Sequence, residues 1–357
     1  MRLLICAGGT GGGVYPAMTV MEALKLENKD LLWVGGIGGM EAGLVERKQV
    51  PFRAIPAAGV HGVGLKKLPG NLWKLAKGYF ASRQILKAFK PDALLFTGGY
   101  VAIPMALAAR HKPMALYVPD IEPGLALKVL AYFARRIALT TESSKMYYKN
   151  QEKISVTGYP IRQDIKKWSK PEGRAYFSVE PGLPVLLFMG GSSGARSINQ
   201  ALLAILPELM RDYQVIHLTG HLDWEMVQKQ TAGMGPRYQA FPYLHEIGAA
   251  LAAADLVISR SGASTLGEYP HFSLPAILVP YPYAWRYQKT NAEYLVDRKA
   301  AILLEDERMK TDLLPTIQQV MRSPGKLESM RQAMASLTRP QAAEEIAALL
   351  YDMAEVG

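Results

Sequence analysis

LLICAGGTGGG, residues 3–13, joins a short apolar run to a cluster of glycines. The apolar run predicts a buried strand, and the glycines predict a tight turn from which a helix starts. Glycine allows positive φ angles and lets a ligand approach the backbone closely. A helix that begins there presents unpaired N–H groups and the positive end of its dipole, so the stretch predicts a site for a phosphate group.

A second stretch of the same type, VLLFMGGSSGA, occupies residues 185–195. One strand–turn–helix of this kind is a weak signal, but two of them predict two domains of similar architecture. Apolar runs alternate with helical patterns in both halves, which is typical of parallel sheets with right-handed crossovers. We therefore expect an α/β protein with two Rossmann-like domains whose parallel sheets face a cleft.

The apolar runs also predict the order of strands and the boundary between the domains. Gly158, Tyr159 and Pro160, followed by a polar stretch at 163–183, predict the link. The expected domains are therefore 1–160 and 161–339, and by analogy a final helix within 340–357 packs back on the first. The expected strands are 2–7, 31–34, 52–55, 93–96, 114–118, 137–140, 154–157, 185–189, 214–219, 238–241, 255–259, 276–280 and 301–304.

Composition narrows the class of protein. The chain has 357 residues, a net charge of +10 and one cysteine, Cys6, which we expect to be a buried apolar residue. A lone cysteine excludes an internal disulfide and fits a reducing compartment. No apolar run approaches the roughly 18–20 residues of a membrane span, and none has the form of a signal peptide. We expect a soluble cytoplasmic protein.

The positive charge is concentrated in a segment without acidic residues, between Glu46 and Asp92. Apolar and aromatic side chains at helical spacing are interleaved with the basic ones, which predicts a basic amphipathic helix. Such a helix suits an anionic membrane surface, which we expect it to meet through residues 66–90. In the alternative, its apolar stripe packs on the sheet and its lysines are only solvated. No nucleic-acid motif accompanies the charge, so nucleic acid is not expected as a partner. The residues concerned are Arg47, Lys48, Arg53, Lys66, Lys67, Lys74, Lys77, Arg83, Lys87 and Lys90, with Leu72, Trp73, Leu75, Tyr79, Phe80 and Leu86.

Two segments of the second half carry candidate ligand-binding residues. SRSGASTLGE, residues 259–268, predicts another strand end with small residues and a helix start. Glu268 could accept hydrogen bonds from both ribose hydroxyls, or it could be a first-turn glutamate that complements the helix dipole. Gln288, at the end of an aromatic, proline-containing loop, could donate to and accept from sugar hydroxyls. Alternatively, that loop is a surface loop stiffened by its prolines.

Taken together and in this order, the motifs resemble those of the MurG family, over nearly the whole chain. Members of this family transfer N-acetylglucosamine to make lipid II of peptidoglycan, and they have the two-domain GT-B fold. The resemblance rests on Gly8, Gly9, Thr10, Gly11 and Gly12 with Pro16; Gly98 and Gly99; Gly158 to Arg162; Gly190 to Arg196 with Asn199; Arg260 to Ala263; Glu268; and Gln288 with Asn291.

The resemblance also implies roles for individual residues. The second domain of the family binds UDP-N-acetylglucosamine, with Ser192 and Arg162 at the diphosphate, Leu244 at uracil, Glu268 at the ribose and Gln288 at the sugar. Thr10, Gly11 and Gly12 are implied for the first-domain side, where the diphosphate of the polyprenyl-linked acceptor is expected. The remaining implied phosphate-loop residues are Ala263, Ser264, Thr265, Leu266 and Gly267.

The chain departs from the family pattern at four places. Gly13 stands where the opening loop normally ends in histidine, and Tyr117-Val118-Pro119-Asp120 replaces a His-Glu-Gln-Asn stretch. Ser193 and Tyr287 each replace a glutamine. The nucleotide side is retained, so the departures concern the acceptor or the identity of the sugar.

The implied reaction is an inverting displacement in which an acceptor hydroxyl attacks the anomeric carbon and UDP leaves. It needs a general base, for which Asp120 and Glu122 are the candidates and His61 a weaker one. The remaining histidines are expected at the surface or in packing roles, and no metal or cofactor is expected, since no Asp-x-Asp pair is present.

Three functions remain open at this point. The first is a MurG-type transferase at the cytoplasmic face of the cell membrane, bound peripherally. The second is a related lipid or secondary-metabolite glycosyltransferase with another acceptor or sugar. The third is a non-catalytic paralog that binds a nucleotide sugar.

Overall fold

The computed structural model describes residues 1–9, 11–59, 64–191, 193–283 and 287–355, with only the backbone of Leu65. Thr10, His61 and Ser192, which the sequence singles out, lie outside the described residues. The chain divides into two compact units. Unit 1 is Met1–Pro160 together with the C-terminal segment from Gln341, and unit 2 is Ile161–Pro340.

Unit 1 is built on a parallel sheet of seven strands in the order β3-β2-β1-β4-β5-β6-β7. Its central strands are buried on both faces, as expected for a parallel sheet covered by helices. Each strand lies at its predicted position. The strands are β1 Leu3–Ala7, β2 Leu31–Gly36, β3 Phe52–Ile55, β4 Ala93–Gly98, β5 Met114–Val118, β6 Arg136–Leu139 and β7 Ile154–Val156.

Helices cover both faces of this sheet, and one comes from the C-terminal end of the chain. That last helix packs against the first helix and against β4, and the Tyr351 hydroxyl donates to the Leu24 carbonyl at 2.6 Å. The Cys6 side chain is completely buried in β1, which confirms its predicted packing role. The helices of unit 1 are α1 Gly11–Leu24, α2 Glu41–Arg47, α3 Leu68–Phe89, α4 Ala102–Ala108, α5 Leu125–Phe133 and α15 Ala342–Glu355.

Unit 2 contains a parallel sheet of six strands in the order β10-β9-β8-β11-β12-β13. These strands also confirm the predicted positions. They are β8 Val185–Met189, β9 Gln214–Leu218, β10 Tyr238–Phe241, β11 Leu256–Ser259, β12 Ala276–Leu278 and β13 Ala301–Leu303. The helices of unit 2 are α6 Gln163–Lys166, α7 Lys170–Tyr176, α8 Arg196–Asp212, α9 Trp224–Gln230, α10 Ile247–Ala253, α11 Thr265–His271, α12 Tyr287–Asp297, α13 Met309–Met321 and α14 Pro324–Ala335.

The strand orders place the two glycine-rich turns at equivalent points. In unit 1 the order reverses between β1 and β4, and in unit 2 it reverses between β8 and β11. A crevice opens at the carboxyl ends of the strands at such a switch point, and ligands of open α/β sheets bind there. The turn at 8–13 follows β1 and the turn at 190–195 follows β8, so each lies where a ligand site is expected.

The long helix α3 exposes its aromatic side chains. Gly78, Ser82 and Leu86 form its buried face, whereas Trp73 and Phe80 are each 63% exposed. Leu72 is also exposed, at 52%, so the alternative in which the apolar stripe packs on the sheet does not hold at this residue; the helix packs through Gly78 and Ser82 instead. Across the described ranges, no helix has the combination of length and apolar character that crossing a membrane requires.

Candidate active site

The second glycine-rich turn depends on backbone conformations and close contacts that exclude side chains. Gly191 and Gly194 have φ angles of +85° and +79°, and the Gly194 N–H donates to the Gly191 carbonyl at 3.0 Å. A Cβ at Gly190 would overlap the backbone nitrogen of Ala195. The turn leads into α8, whose first N–H groups lack intrahelical partners. This is the geometry that the sequence predicted for an anion site.

A chain of hydrogen-bonded side chains supports this turn from behind. A Cβ at Gly194 would overlap the carbonyl of Thr219, so the segment after β9 touches the turn directly. Asn199, in α8, donates from Nδ2 to the Thr219 carbonyl and to Asp223 Oδ2, both at 2.9 Å. Asn199 therefore holds the segment after β9 in place, and that segment packs against the turn.

The side chain of Asn199 is itself held by His217, which is completely buried. Its Nε2 lies 2.9 Å from Asn199 Oδ1, and its Nδ1 lies 2.8 Å from the Tyr238 hydroxyl. Burial lowers the pKa of His217 to about 3, against the opposing charge of Asp223. The ring is therefore neutral at physiological pH, and its role is the packing role that the sequence predicted.

Arg260 links the loop after β11 to the start of α8. Its guanidinium binds Asp306 Oδ1 at 2.5 Å and the Ser197 hydroxyl at 2.8 Å, and it donates to the Val279 carbonyl at 3.1 Å. These bonds engage Arg260 within the protein. Arg260 thus stabilises the shape of the 259–268 segment through these bonds.

Glu268 lies in α11, partly buried, with its backbone N–H bonded to the Ser264 carbonyl at 2.8 Å. Burial raises the pKa of this carboxyl to about 7, although Arg162 and a hydrogen bond with Ser264 favour its ionised form. Arg162 itself has its Nε 3.5 Å from Asp164 Oδ1. A carboxyl with a raised pKa in the helix that follows a central strand is a candidate ligand-binding group.

The predicted phosphate-loop residues at 263–267 are held by bonds from side-chain hydroxyls to backbone carbonyls. Ala263, Thr265, Leu266 and Gly267 are buried, and the Thr265 hydroxyl donates to the Gly262 carbonyl at 2.7 Å. The Ser261 hydroxyl donates to the Gln288 carbonyl at 2.7 Å, which joins α12 to this loop.

Gln288 and Leu244 lie in separate loops of unit 2. Gln288 Oε1 accepts from the Tyr281 N–H at 2.9 Å, so this bond orients the amide. Leu244 is partly buried in the loop between β10 and α10.

The first glycine-rich turn is bonded to a buried carboxylate from α2. Gly9 has a φ angle of +91°, and its N–H donates to Glu41 Oε2 at 3.3 Å. The Gly36 N–H donates to Glu41 Oε1 at 2.7 Å. A Cβ at Gly99 would lie 2.5 Å from the Gly8 carbonyl oxygen, so the turn after β4 packs directly on the first turn. Helix α1 starts at Gly11, as predicted.

Gly13, at the position of the family histidine, is closely packed in the first turn of α1. The Thr97 hydroxyl donates to its carbonyl at 2.8 Å. A Cβ at Gly13 would lie only 3.2 Å from the Thr97 carbonyl oxygen. A larger residue would therefore require a small shift of β4, which gives a physical reason for glycine here.

Strand β5 contains one buried tyrosine near its end, and the segment after it contains the two candidate bases. Tyr117, at another family histidine position, is completely buried, with its hydroxyl 2.8 Å from that of Thr140. Burial raises the pKa of Tyr117 well above its usual range. Asp120 follows the end of β5 and is partly buried, and Glu122 Oε1 lies 3.6 Å from Lys128 Nζ. Both candidate bases therefore lie in the short segment between β5 and α5.

Comparisons with known proteins cover both units. The model for the glycosyltransferase family 28 N-terminal domain matches residues 3–139, and the C-terminal domain model matches residues 185–346. The UDP-N-acetylglucosamine--N-acetylmuramyl-(pentapeptide) pyrophosphoryl-undecaprenol N-acetylglucosamine transferase of Desulforudis audaxviator is 36% identical over 100% of both chains. The enzyme of that name from Roseiflexus sp. is 36% identical over 98% of this chain and 94% of its own. The chain belongs to the MurG family of glycosyltransferases.

Solved structures share the fold. MurG of Acinetobacter baumannii superimposes with a TM-score of 0.77 at 24% identity, covering 98% of this chain and 99% of the other. UDP-GlcNAc 2-epimerase of Neisseria meningitidis gives a TM-score of 0.70 at 14% identity, covering 99% of this chain and 100% of its own. The predicted GT-B fold is confirmed, as is the prediction that this MurG-family chain is a glycosyltransferase.

Several residues that shape the candidate sites were not predicted from the sequence. Glu41, Thr97 and Asp306 gave no signal, because each acts through a contact that is distant in sequence. The glycines that pack around Glu41 were visible in the sequence, but their spacing does not indicate which side chain they surround. Within the described ranges, His, Cys, Asp and Glu side chains form no group of three that could hold a metal ion.

Proposed function

We propose that this chain transfers N-acetylglucosamine from UDP-N-acetylglucosamine to a muramoyl peptide linked to undecaprenyl diphosphate. The observation that carries the proposal is the 36% identity, over the full length of both chains, to a transferase named for this reaction. The geometry of both units is compatible with it, and unit 2 supports the donor side in most detail.

On the donor side, the turn at 190–195 and the start of α8 would receive the diphosphate. Helix N–H groups and the guanidinium of Arg162 favour the negative charge that grows on UDP as it leaves. Glu268 in its ionised form would accept from both ribose hydroxyls, and the Gln288 amide would contact the sugar. Ser192 and the 263–267 segment complete the proposed phosphate contacts, and the Leu244 backbone is proposed to meet uracil.

On the acceptor side, Gly11 and Gly12 in the first turn of α1, with Thr10, would receive the acceptor's diphosphate. Asp120 is proposed as the general base that removes the proton from the attacking hydroxyl. The hydroxyl oxygen then bonds to the anomeric carbon while the bond from that carbon to the UDP oxygen breaks, so the configuration inverts. A carboxylate within hydrogen-bond reach of the hydroxyl suffices for this proton transfer.

We also propose that α3 holds the enzyme at the cytoplasmic face of the membrane. Trp73 and Phe80 are exposed beside Lys74 and Lys77, and Lys77 Nζ lies 5.4 Å above the Trp73 ring. Within the described part of the chain, the basic residues of α3 make no ion pair that would neutralise them. Each cation near an anionic surface contributes about 1 kcal/mol, so residues 66–90 would provide substantial affinity.

A second candidate function has a specific observation in its favour. Gly13 and Tyr117 occupy positions at which the family has histidines, and Tyr117 is buried in the core of unit 1. A related lipid glycosyltransferase with another acceptor would retain the donor side and alter these positions. The acceptor is therefore the variable that the experiment must test.

The test incubates the purified enzyme with UDP-N-acetylglucosamine and lipid I in vesicles, and follows UDP release and lipid II formation. We expect both products in equal amounts. Binding of the nucleotide sugar with transfer to another polyprenyl-linked acceptor, but none to lipid I, would support the second candidate. Nucleotide binding without transfer to any acceptor would contradict both.

A further inference from the structure

Glu41 is a buried carboxylate to which the proposed reaction assigns no role. It is the first residue of α2, and its side chain is completely buried. The carboxylate accepts from the Gly36 N–H at 2.7 Å and from the Gly9 N–H at 3.3 Å. Burying a carboxylate destabilises a protein unless hydrogen bonds replace its water, and these two backbone bonds do so.

The cage around this carboxylate is made of glycines. A Cβ at Gly8 or Gly39 would overlap the Glu41 carboxyl group, and a Cβ at Gly35 would lie 2.7 Å from Oε1. Gly43, in the same helix as Glu41, would meet nothing within 4 Å. The close fit is therefore specific to the glycines that face Glu41, and it leaves the carboxylate in one position.

The two hydrogen bonds connect the end of β2 to the turn that follows β1. Because Gly9 donates its N–H to Glu41, that group points away from any ligand of the turn. Among the described residues that follow Gly9, the N–H groups of Gly11 and Gly12 in the first turn of α1 remain for an anion. Glu41 thus determines where the anion-binding part of the turn begins.

We propose that Glu41 is a positioning residue that holds the first glycine-rich turn in the shape that receives the acceptor's diphosphate. This inference rests on the proposed function for the identity of the ligand. The hydrogen bond between Glu41 and the turn is independent of the identity of the ligand. Loss of this bond lets the turn sample other conformations, which weakens acceptor binding and leaves the nucleotide site in unit 2 unchanged.

The principal variant is Glu41→Gln, which retains the shape of the side chain but replaces one acceptor oxygen with a donating NH₂ group. One of the two backbone bonds is then lost. Steady-state kinetics on the full-length enzyme should show the KM for lipid I raised about tenfold, the loss expected for a hydrogen bond to a charged group. The KM for UDP-N-acetylglucosamine should change by less than a factor of about two. Glu46→Gln is the control, because Glu46 is exposed on the same helix and loses the same charge.

An independent pair of variants disturbs the carboxylate without removing it. Gly39→Ala places a methyl group against Glu41, whereas Gly43→Ala adds a methyl group in open space on the same helix. We expect Gly39→Ala to raise the KM for lipid I in the same direction as Glu41→Gln. Gly43→Ala should leave both KM values unchanged.

Amide hydrogen exchange of the whole enzyme keeps the inference testable whatever the acceptor is. Glu41→Gln and Gly39→Ala should speed exchange in peptides spanning 8–13 and leave peptides spanning 190–195 at the wild-type rate. Unchanged exchange at 8–13, or equal increases in both KM values, would overturn the positioning role. Wild-type enzyme that fails to use lipid I, while exchange changes as expected, would reject the proposed acceptor and retain the bond between Glu41 and the turn.

Discussion

The two glycine-rich turns share a sequence pattern and a place in the sheet, but they differ in the groups that support them. In unit 1 the Gly9 N–H is bonded to the buried carboxylate of Glu41. In unit 2 the turn packs on the Thr219 carbonyl, to which Asn199 donates, and the neutral His217 holds Asn199. The buried Asp223 carboxylate, also bonded to Asn199, is paired with Arg196 at 2.9 Å. A buried carboxylate therefore lies near each turn, but backbone N–H groups bind the first and an arginine pairs with the second.

This difference has a consequence for ligand choice. Behind the first turn, backbone N–H groups bind the Glu41 carboxylate, whose charge weakens the attraction of that turn for another anion. In unit 2, Arg196 offsets the charge of Asp223, and the start of α8 attracts an anion. We therefore propose the second turn as the site of the nucleotide diphosphate, and the first as the site of a ligand with further contacts, such as a lipid-linked acceptor.

The largest expected effect separates chemistry from donor binding. Asp120→Asn removes the proposed base and retains its size, so turnover should fall about 100-fold or more, the typical contribution of general base catalysis. The dissociation constant of UDP-N-acetylglucosamine, measured by calorimetry, should stay at the wild-type value. Near-normal turnover would exclude Asp120 as the base, and Glu122→Gln would then be the next variant to measure.

The next effect tests the shape of the second turn. Gly190→Ala forces the turn to move, because its Cβ would overlap the Ala195 nitrogen. Overpacking of this kind costs about 1–3 kcal/mol, so nucleotide-sugar affinity should fall roughly ten- to a hundredfold. Gly191→Ala is the matched control: it strains a positive φ but meets nothing within 4 Å, and should weaken binding less. Equal losses in both variants would contradict the role of close packing at Gly190.

The smallest effect concerns the protonation of Glu268, whose pKa is raised to about 7. Ribose hydroxyls donate to the ionised form, so affinity for UDP-N-acetylglucosamine should rise by up to about tenfold between roughly pH 6 and pH 8. Glu268→Gln should abolish this dependence, as calorimetry at several pH values would show.

Stability should change with pH in the opposite direction. A carboxyl whose folded-state pKa is raised contributes stability below its ordinary pKa and loses it as pH rises through 7. As the pH rises from the ordinary carboxyl pKa of 4.5 to about 7, the Tm of the ligand-free wild type should therefore fall more than the Tm of Glu268→Gln. A wild-type Tm that rises instead would contradict the raised pKa.

The strands and the positions of the two turns were predictable because they depend on local patterns. Buried strands such as Val185–Met189 are continuous apolar runs bounded by glycine and proline, and that pattern needs no knowledge of distant residues. The packed face of α3 was not predictable in the same way. Periodicity identified the helix and left open which face packs, and contacts at Gly78 and Ser82 decide it.

The supporting groups were not predictable, because each is brought to its turn by the fold. Glu41 precedes an ordinary helical pattern, and its sequence neighbours suggest an exposed first-turn glutamate. Only the pairing of β1 with β2 brings it beside Gly9. The engagement of Glu122 by Lys128 likewise depends on the turn into α5. Sequence therefore located the candidate sites and left their electrostatics undetermined.

The most direct test of this account is calorimetric titration of UDP-N-acetylglucosamine into Glu41→Gln and Glu268→Gln. Both substitutions replace a glutamate near a glycine-rich loop, one in each unit, with the same isosteric residue. We predict that Glu268→Gln raises the dissociation constant about tenfold, the loss expected for hydrogen bonds to a charged group. Glu41→Gln should stay within about a factor of two of wild type. An equal loss in both variants, or a greater loss in Glu41→Gln, would contradict the assignment of the nucleotide sugar to the turn in unit 2.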